Sequence, residues 1–151
     1  MTTLTHSTQA RQYSLRRTYL ALTSVARTAR DTTRIHLASW DLHTDLVDNA
    51  VRVISEMVTN AIAATPRKKI MIDLFMADGR LHLEVWDCSP TPPSRRDTQA
   101  VVDARFDPNS PDPGGWGLEI IEALADTCGH RQGPDGGKTV FAQFSLQRTA
   151  N

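Results

Sequence analysis

Apolar residues recur at helical spacing in the middle of the chain, and this pattern constrains the fold more than any other feature of the sequence. The stripe is centred near Ile54 and consists of Val47, Ala50, Val51, Ile54, Met57, Val58 and Ala61. Steps of three and four residues place these side chains on one face of a helix. We therefore predict a core helix that is capped by Thr44 or Asp45 and ends before Pro66, because proline disfavours helical geometry in the residue before it.

Two polar side chains, Glu56 and Asn60, lie off this stripe and one helical turn apart. A carboxylate and a carboxamide at that spacing point their oxygens into one volume, which is how two side chains can hold a hydrated divalent cation. The same pair also fits two polar residues on the solvated flank of a helix. The stretch by itself leaves both interpretations open.

The length of 151 residues suits one domain with a hydrophobic core. Residues 1–15 begin with a Thr-, Ser- and Gln-rich stretch and are predicted to be a flexible tail, so the domain comprises residues 16–147. Within it, Tyr19–Leu22 is predicted to be a short edge strand. Ser24 offers an N-cap for a helix from about Val25 to Trp40.

Two alternating segments after the core helix predict a hairpin. Lys69–Met76 and Leu81–Asp87 each alternate apolar and polar residues, and Asp78-Gly79 between them is a tight-turn signal. On this period Asp87 falls on the apolar face. A carboxylate directed at the core costs several kcal/mol without partners, so either the strand has already ended and Asp87 is a loop residue, or Asp87 meets a polar group in a pocket.

A proline-rich segment separates this hairpin from the last elements, with prolines at positions 90, 92, 93, 108, 111 and 113. Such a long connection is typical of a lid, a binding loop or a disordered stretch. Gly114–Gly117 then precede a helical pattern that extends to about Cys128, with Gly129 as its C-cap. Glycines before a helix let backbone N–H groups approach an anion such as phosphate, although glycine also serves plain loops.

The chain ends in a predicted turn and strand. Gly133–Gly137 form the turn, and Thr139–Leu146 alternate as a strand. Val140 and its alternate neighbours share the apolar face, which leaves Thr139 on the other face unless the strand starts after it.

Composition excludes several classes of protein. Lysine plus arginine equals aspartate plus glutamate at 17 each, which argues against a generic nucleic-acid binder. No apolar run approaches the roughly 20 residues of a membrane span, and we see no secretion signal. Cys88 and Cys128 lack CxxC spacing, which favours a reducing compartment, and we expect a cytoplasmic protein.

These motifs together resemble a known family. E-x-x-x-N on a helix, a strand ending in Asp, a proline-rich lid before G-x-G-L, and G-G-K-T opening a strand occur in this order between about Val25 and Leu146. The pattern is similar to the histidine-kinase-like ATPase domain that gyrase and sensor kinases share. It looks closest to the anti-sigma-factor serine kinases and to short actinobacterial ATP-binding regulators with sequences like SEMVTNA, VWDCSPTPP and GGKTVFAQF. The resemblance implies an α/β (α+β) two-layer sandwich, with helices packed on one face of a mixed β-sheet.

The resemblance also implies roles for individual residues. Glu56 would position or deprotonate the attacking nucleophile, Asn60 would bind Mg²⁺ that bridges the phosphates of ATP, and Asp87 would accept the adenine amino group. Thr139 would support the adenine through its hydroxyl or a water. Gly115 and Gly117 would face the phosphates beneath a lid of about residues 94–114. The remaining implied nucleotide-binding residues are Ser89, Trp116 and Leu118.

The implied activity is that of an ATP-binding regulator that holds a sigma factor or a similar partner and phosphorylates a serine on an anti-anti-sigma factor. Such kinases often dimerise, and no direct contact with nucleic acid or membrane is expected. One alternative is a module that acts only by sequestering a protein, and another is a free-standing ATPase. Sequestration is favoured by Asp87-Cys-Ser89-Pro-Thr91, which replaces the usual D-x-G-x-G, and by Ala64, where many relatives have His.

Overall fold

The computed structural model describes residues 13–93 and 117–146, which fold into two layers. The strands are β1 Ser14–Leu20, β2 Lys69–Ala77, β3 Arg80–Asp87, β4 Thr127–Gln132 and β5 Lys138–Ser145. The helices are α1 Thr23–Ser39, α2 Thr44–Ala64 and α3 Gly117–Leu124. None of the helices in the described part of the chain is long and apolar enough to cross a membrane.

The strands form one sheet in the order β1-β2-β3-β5-β4. The expected sandwich of helices on a sheet is confirmed. All four described strand pairs are antiparallel, so the expectation of a mixed sheet was wrong for the described residues. The hairpins β2–β3 and β4–β5 explain part of this order, because a short turn can join only antiparallel neighbours.

The predicted stripe of α2 forms the centre of the core. All seven of its residues are buried, as is Val53 beside them. They pack against the apolar face of the sheet, which contributes Ile70, Ile72, Leu74, Leu81, Leu83, Val85, Val140, Ala142 and Phe144. Burying a side chain of the size of Ile54 stabilises the fold by about 1.5–3 kcal/mol, so this contact fixes α2 on the sheet.

The predicted hairpin turn after β2 and the predicted end of the core helix before it are both confirmed. Asp78 and Gly79 have φ values of 55° and 70°, and a two-residue hairpin loop with positive φ at both positions matches the right-handed twist of the strands. α2 ends at Ala64, just before Pro66.

The starts of the first two helices differ from the prediction. α1 begins before Ser24, and its N-cap is Leu22, which makes no side-chain capping bond. α2 is capped by His43 instead of Thr44 or Asp45: the His43 Nδ1 accepts a hydrogen bond from the backbone N–H of Asp45 at 3.1 Å. Imidazole was overlooked because Ser, Thr, Asp and Asn are the usual capping residues.

The first strand is longer than predicted. Tyr19 and Leu20 belong to β1 at the edge of the sheet, as expected, but the strand already begins at Ser14 and ends before Ala21 and Leu22, which the prediction had included. Leu15 is only 7% exposed and joins the core. Ser14 and Leu15 therefore belong to the sheet and not to the predicted tail, whose residues 1–12 lie outside the described part.

Gly129 lies in a strand and does not cap a helix. α3 ends at Leu124, before the predicted end at Cys128, and β4 follows from Thr127. A Cβ atom at Gly129 would lie 2.9 Å from the ring of Phe141, its partner in the β4–β5 register. Glycine is present here because it leaves room for that ring.

We expect Ile54→Ala to lower the free energy of unfolding by about 2–5 kcal/mol, because it empties a fully buried site. The matched control is Ile35→Ala, since Ile35 is 67% exposed and the substitution is chemically identical. The control should change stability by less than about 0.5 kcal/mol. Urea denaturation measures both values, and equal losses would contradict the assignment of α2 to the core.

Candidate functional site

A cavity of about 440 Å³ lies between the C-terminal half of α2 and the adjoining ends of β3 and β5. Its volume falls in the range of small-molecule sites. Helix residues, strand ends and the segment after β3 line it: Met57, Thr59, Asn60, Ala61, Ala63, Ala64, Val85, Asp87, Ser89, Thr91, Pro92, Pro93, Lys138 and Val140. The cavity therefore brings together Asn60, Asp87 and Ser89, three of the residues expected from the sequence.

Asp87 is the last residue of β3 and points to the helix side of the sheet, where it is 1% exposed. Its Oδ1 accepts hydrogen bonds from the backbone N–H of Ser89 and from the Nζ of Lys138, both at 2.9 Å. Of the two alternatives left open by the sequence, the structure shows the second, a carboxylate that meets a polar group in a pocket.

Lys138 is a site residue that sequence reasoning missed. It is the first residue of β5, lies opposite Asp87 in the antiparallel register and is 3% exposed. Its spacing of two residues from Val140 places it on the apolar face, so the period could have indicated a buried cation. A buried cation requires an anionic partner, and Asp87 is the buried carboxylate that provides it.

Two glycines before Lys138 allow the turn to pack on the end of β3. Gly136 has a φ of 87°, which favours glycine. A Cβ atom at Gly137 would lie 2.6 Å from the backbone oxygen of Asp87 and 2.8 Å from the Nε1 of Trp86. This close approach fixes Lys138 beside the carboxylate.

The segment after Asp87 is shaped by bonds between side chains and backbone. Ser89 donates its N–H to Asp87, and its Oγ accepts the N–H of Thr91 at 3.2 Å. The backbone oxygen of Pro90 accepts a bond from Gln132 Nε2 at 2.8 Å. Short polar side chains commonly stabilise turns in this way, so the segment after Asp87 is held in a folded turn.

Glu56 and Asn60 lie on the same flank of α2, but only Asn60 lines the cavity. The Oε2 atom of Glu56 is buried and has no hydrogen-bond partner among the described residues. Burial raises the pKa of the Glu56 carboxyl, while the charges of Arg52 and Arg30 oppose the shift. A carboxylate with a raised pKa is suited to accepting a proton.

The other predicted residues are not brought to this cavity by the described structure. β5 begins at Lys138, so Thr139 lies on the opposite face of the sheet, between Trp86 and Arg131 in the register. Gly117 is the first residue of α3. Leu118 lines a second cavity of about 440 Å³ together with Ile121, Cys128 and Phe141.

Gly115, Trp116 and the predicted lid, residues 94–114, lie outside the described residues.

Comparison with protein families identifies the class. A model described as the histidine kinase-like ATPase domain matches residues 20–144. The chain therefore belongs to this family. A comparison with curated proteins finds no significant match.

Solved structures share the fold. A structure of the RsbU and RsbW domains of Rv1364c from Mycobacterium tuberculosis has a TM-score of 0.65 and 25% sequence identity over 91% of this chain, which corresponds to only 33% of that chain. A chain of the SiaB–SiaC complex from Pseudomonas aeruginosa has a TM-score of 0.63 and 13% identity, and the match covers 88% of this chain and 90% of that one.

We expect Glu56→Gln to raise thermal stability at neutral pH. The pKa of the Glu56 carboxyl is raised above 4.5 in the folded protein. At pH values between 4.5 and this raised pKa, the folded state therefore holds a proton that the unfolded chain releases. The stability of the native protein therefore falls as pH rises from 4.5 through the raised pKa. The glutamine side chain of the variant does not titrate, so the variant does not lose this stability as the pH rises.

Melting temperatures across pH measure the effect. The difference in melting temperature between Glu56→Gln and the native protein should be largest at neutral pH. It should no longer depend on pH below about pH 4, where the Glu56 carboxyl is protonated in both the folded and the unfolded protein. Asp31→Asn, on the exposed side of α1, serves as the control. A melting difference that does not vary with pH would contradict the raised pKa.

Proposed function

We propose that this protein binds ATP with Mg²⁺ in the cavity beside α2 and acts as a regulatory serine/threonine kinase of the anti-sigma-factor type. The observation that carries the proposal is the convergence of Asn60 and buried Asp87 on one cavity. The family membership of residues 20–144 adds to it.

The residues present fit the nucleotide and its metal. Asp87 has an oxygen that can accept a hydrogen bond from the amino group of adenine. Asn60 has a carboxamide oxygen that is suited to binding Mg²⁺. The described residues contain no cluster of three or more His, Cys, Asp or Glu for a metal ion. Asn60 would therefore share the ion with phosphate oxygens, as is usual for magnesium at nucleotide sites.

Phosphoryl transfer depends mainly on positioning and on electrostatic stabilisation, which bound Mg²⁺ supplies at the phosphates. In the proposed reaction, the Glu56 carboxylate accepts the proton of a serine hydroxyl on the partner protein. The serine oxygen forms a bond to the γ-phosphorus of ATP, while the bond from that phosphorus to the β,γ-bridging oxygen breaks and ADP leaves. The raised pKa of the Glu56 carboxyl suits it to accepting this proton. Asp87 orients the adenine ring of ATP, and Asn60 orients its phosphates.

We propose an anti-anti-sigma factor as the phosphorylated partner and a sigma factor or a similar regulator as the protein that is held. The solved relatives support a protein partner: one is an RsbW domain in a chain with an RsbU domain, and the other is in a complex of SiaB with SiaC. The proposed setting is the cytoplasm, where such regulators meet transcription factors. A homodimer is compatible with this role.

Sequestration without catalysis is the second candidate. It is favoured by Lys138, which already occupies one oxygen of Asp87, and by the folded turn at Ser89. In that case ATP is static or absent, and binding of the partner does not depend on the cavity. Asn60→Ala separates the two candidates, since a pure sequestering module would keep its affinity for the partner.

The direct test is transfer of labelled phosphate from ATP to a serine of the cognate anti-anti-sigma factor. We expect Glu56→Gln to retain ATP binding and to slow transfer by about 100-fold or more, the usual contribution of a proton acceptor. Asp31→Asn is the matched control and should transfer at the native rate. Unchanged transfer by Glu56→Gln would eliminate the role of Glu56, and the absence of transfer by the native protein would favour sequestration.

A further inference from the structure

Lys138 has more hydrogen-bond donors than its protein contacts use. An ammonium group carries three N–H donors, and one of them binds Asp87 Oδ1 at 2.9 Å. No other acceptor contacts the Nζ among the described residues. The side chain is 3% exposed and lines the cavity, so a group bound in that cavity can accept hydrogen bonds from its unused donors.

Asp87 is incompletely used in the same way. Both of its described hydrogen bonds go to Oδ1. Oδ2 accepts no bond from the part of the chain that the structure describes, and the side chain is 2% exposed. One end of the cavity therefore presents an unused acceptor next to unused donors.

An adjacent donor and acceptor match the hydrogen-bonding edge of a purine base. The six-membered ring of adenine presents an amino donor beside a ring-nitrogen acceptor, and a 6-oxopurine presents an oxo acceptor beside a ring N–H. An isolated carboxylate is acceptor-only and would oppose the oxo group. The pair of Asp87 and Lys138 can serve either base, with the two side chains exchanging the positions that they contact.

We propose that Lys138 donates a hydrogen bond to the nucleobase and is a specificity-determining residue that lets the cavity accept 6-oxopurine nucleotides as well as adenine nucleotides. This inference rests on the proposed binding of a nucleotide. The close packing of Gly137 on the end of β3 supports it, because that contact holds Lys138 beside Asp87. Lys138 thereby has a role beyond neutralising the carboxylate.

The test compares the affinities of ATP and inosine triphosphate, each with Mg²⁺, by calorimetric titration. The native protein should bind the two within about tenfold. Lys138→Met removes a donor from both bases, but it should widen the preference for ATP by about tenfold or more, because only the oxo group of inosine is then left beside a buried carboxylate with no cation between them. The conservative variant Lys138→Arg keeps charged donors at this position and should stay close to the native preference.

If Lys138 has only a structural role, the affinities of the two nucleotides change in a different way. Lys138→Met would then weaken both nucleotides by the same factor, and that result would overturn the inference. Because this variant leaves a buried carboxylate unpaired and can fail to fold, its circular dichroism spectrum is recorded first. The comparison of ATP with inosine triphosphate on the native protein does not depend on this variant. ATP binding without detectable inosine triphosphate binding overturns the inference alone, whereas binding of neither nucleotide overturns the proposed function as well.

Discussion

The packing of α2 on the sheet is the contact on which the site depends. The apolar stripe around Ile54 is buried against β2, β3 and β5, and its burial leaves the helix no freedom to rotate. The flank that carries Glu56 and Asn60 is therefore fixed beside the ends of β3 and β5. Hydrophobic burial, which has no direction of its own, thus determines where the polar groups of the cavity lie.

Electrostatics adds a second constraint at the far side of the cavity. Asp87 and Lys138 are both almost fully buried, and each would be costly to bury alone. Their positions opposite each other in the β3–β5 register make the pairing possible. The glycines at 136 and 137 then bring the turn close enough to complete it. A salt bridge of this kind adds little net stability, so its main effect on the cavity is to hold two buried charged groups at one end of it.

Much of the site could be predicted because its residues follow local periods. The helical period found the α2 stripe and placed Glu56 and Asn60 beside it, and the strand period placed Asp87 on the buried face. Lys138 was missed because its partner lies 51 residues away and depends on a strand pairing that the sequence did not indicate. Gly129 was misassigned for the same reason, since the ring of Phe141 that requires it belongs to a neighbouring strand. Family resemblance implied the roles of the residues, but Thr139 lies on the face of the sheet opposite the cavity.

Calorimetric titration with ATP measures whether the cavity between Asn60 and Asp87 binds a magnesium nucleotide. The native protein should show saturable heat that strengthens with Mg²⁺. Asp87→Ala should abolish this heat, and Asn60→Ala should remove its dependence on Mg²⁺. No heat at millimolar ATP, corresponding to binding weaker than roughly −4 kcal/mol, or unchanged binding by a folded Asp87→Ala variant, would contradict the account.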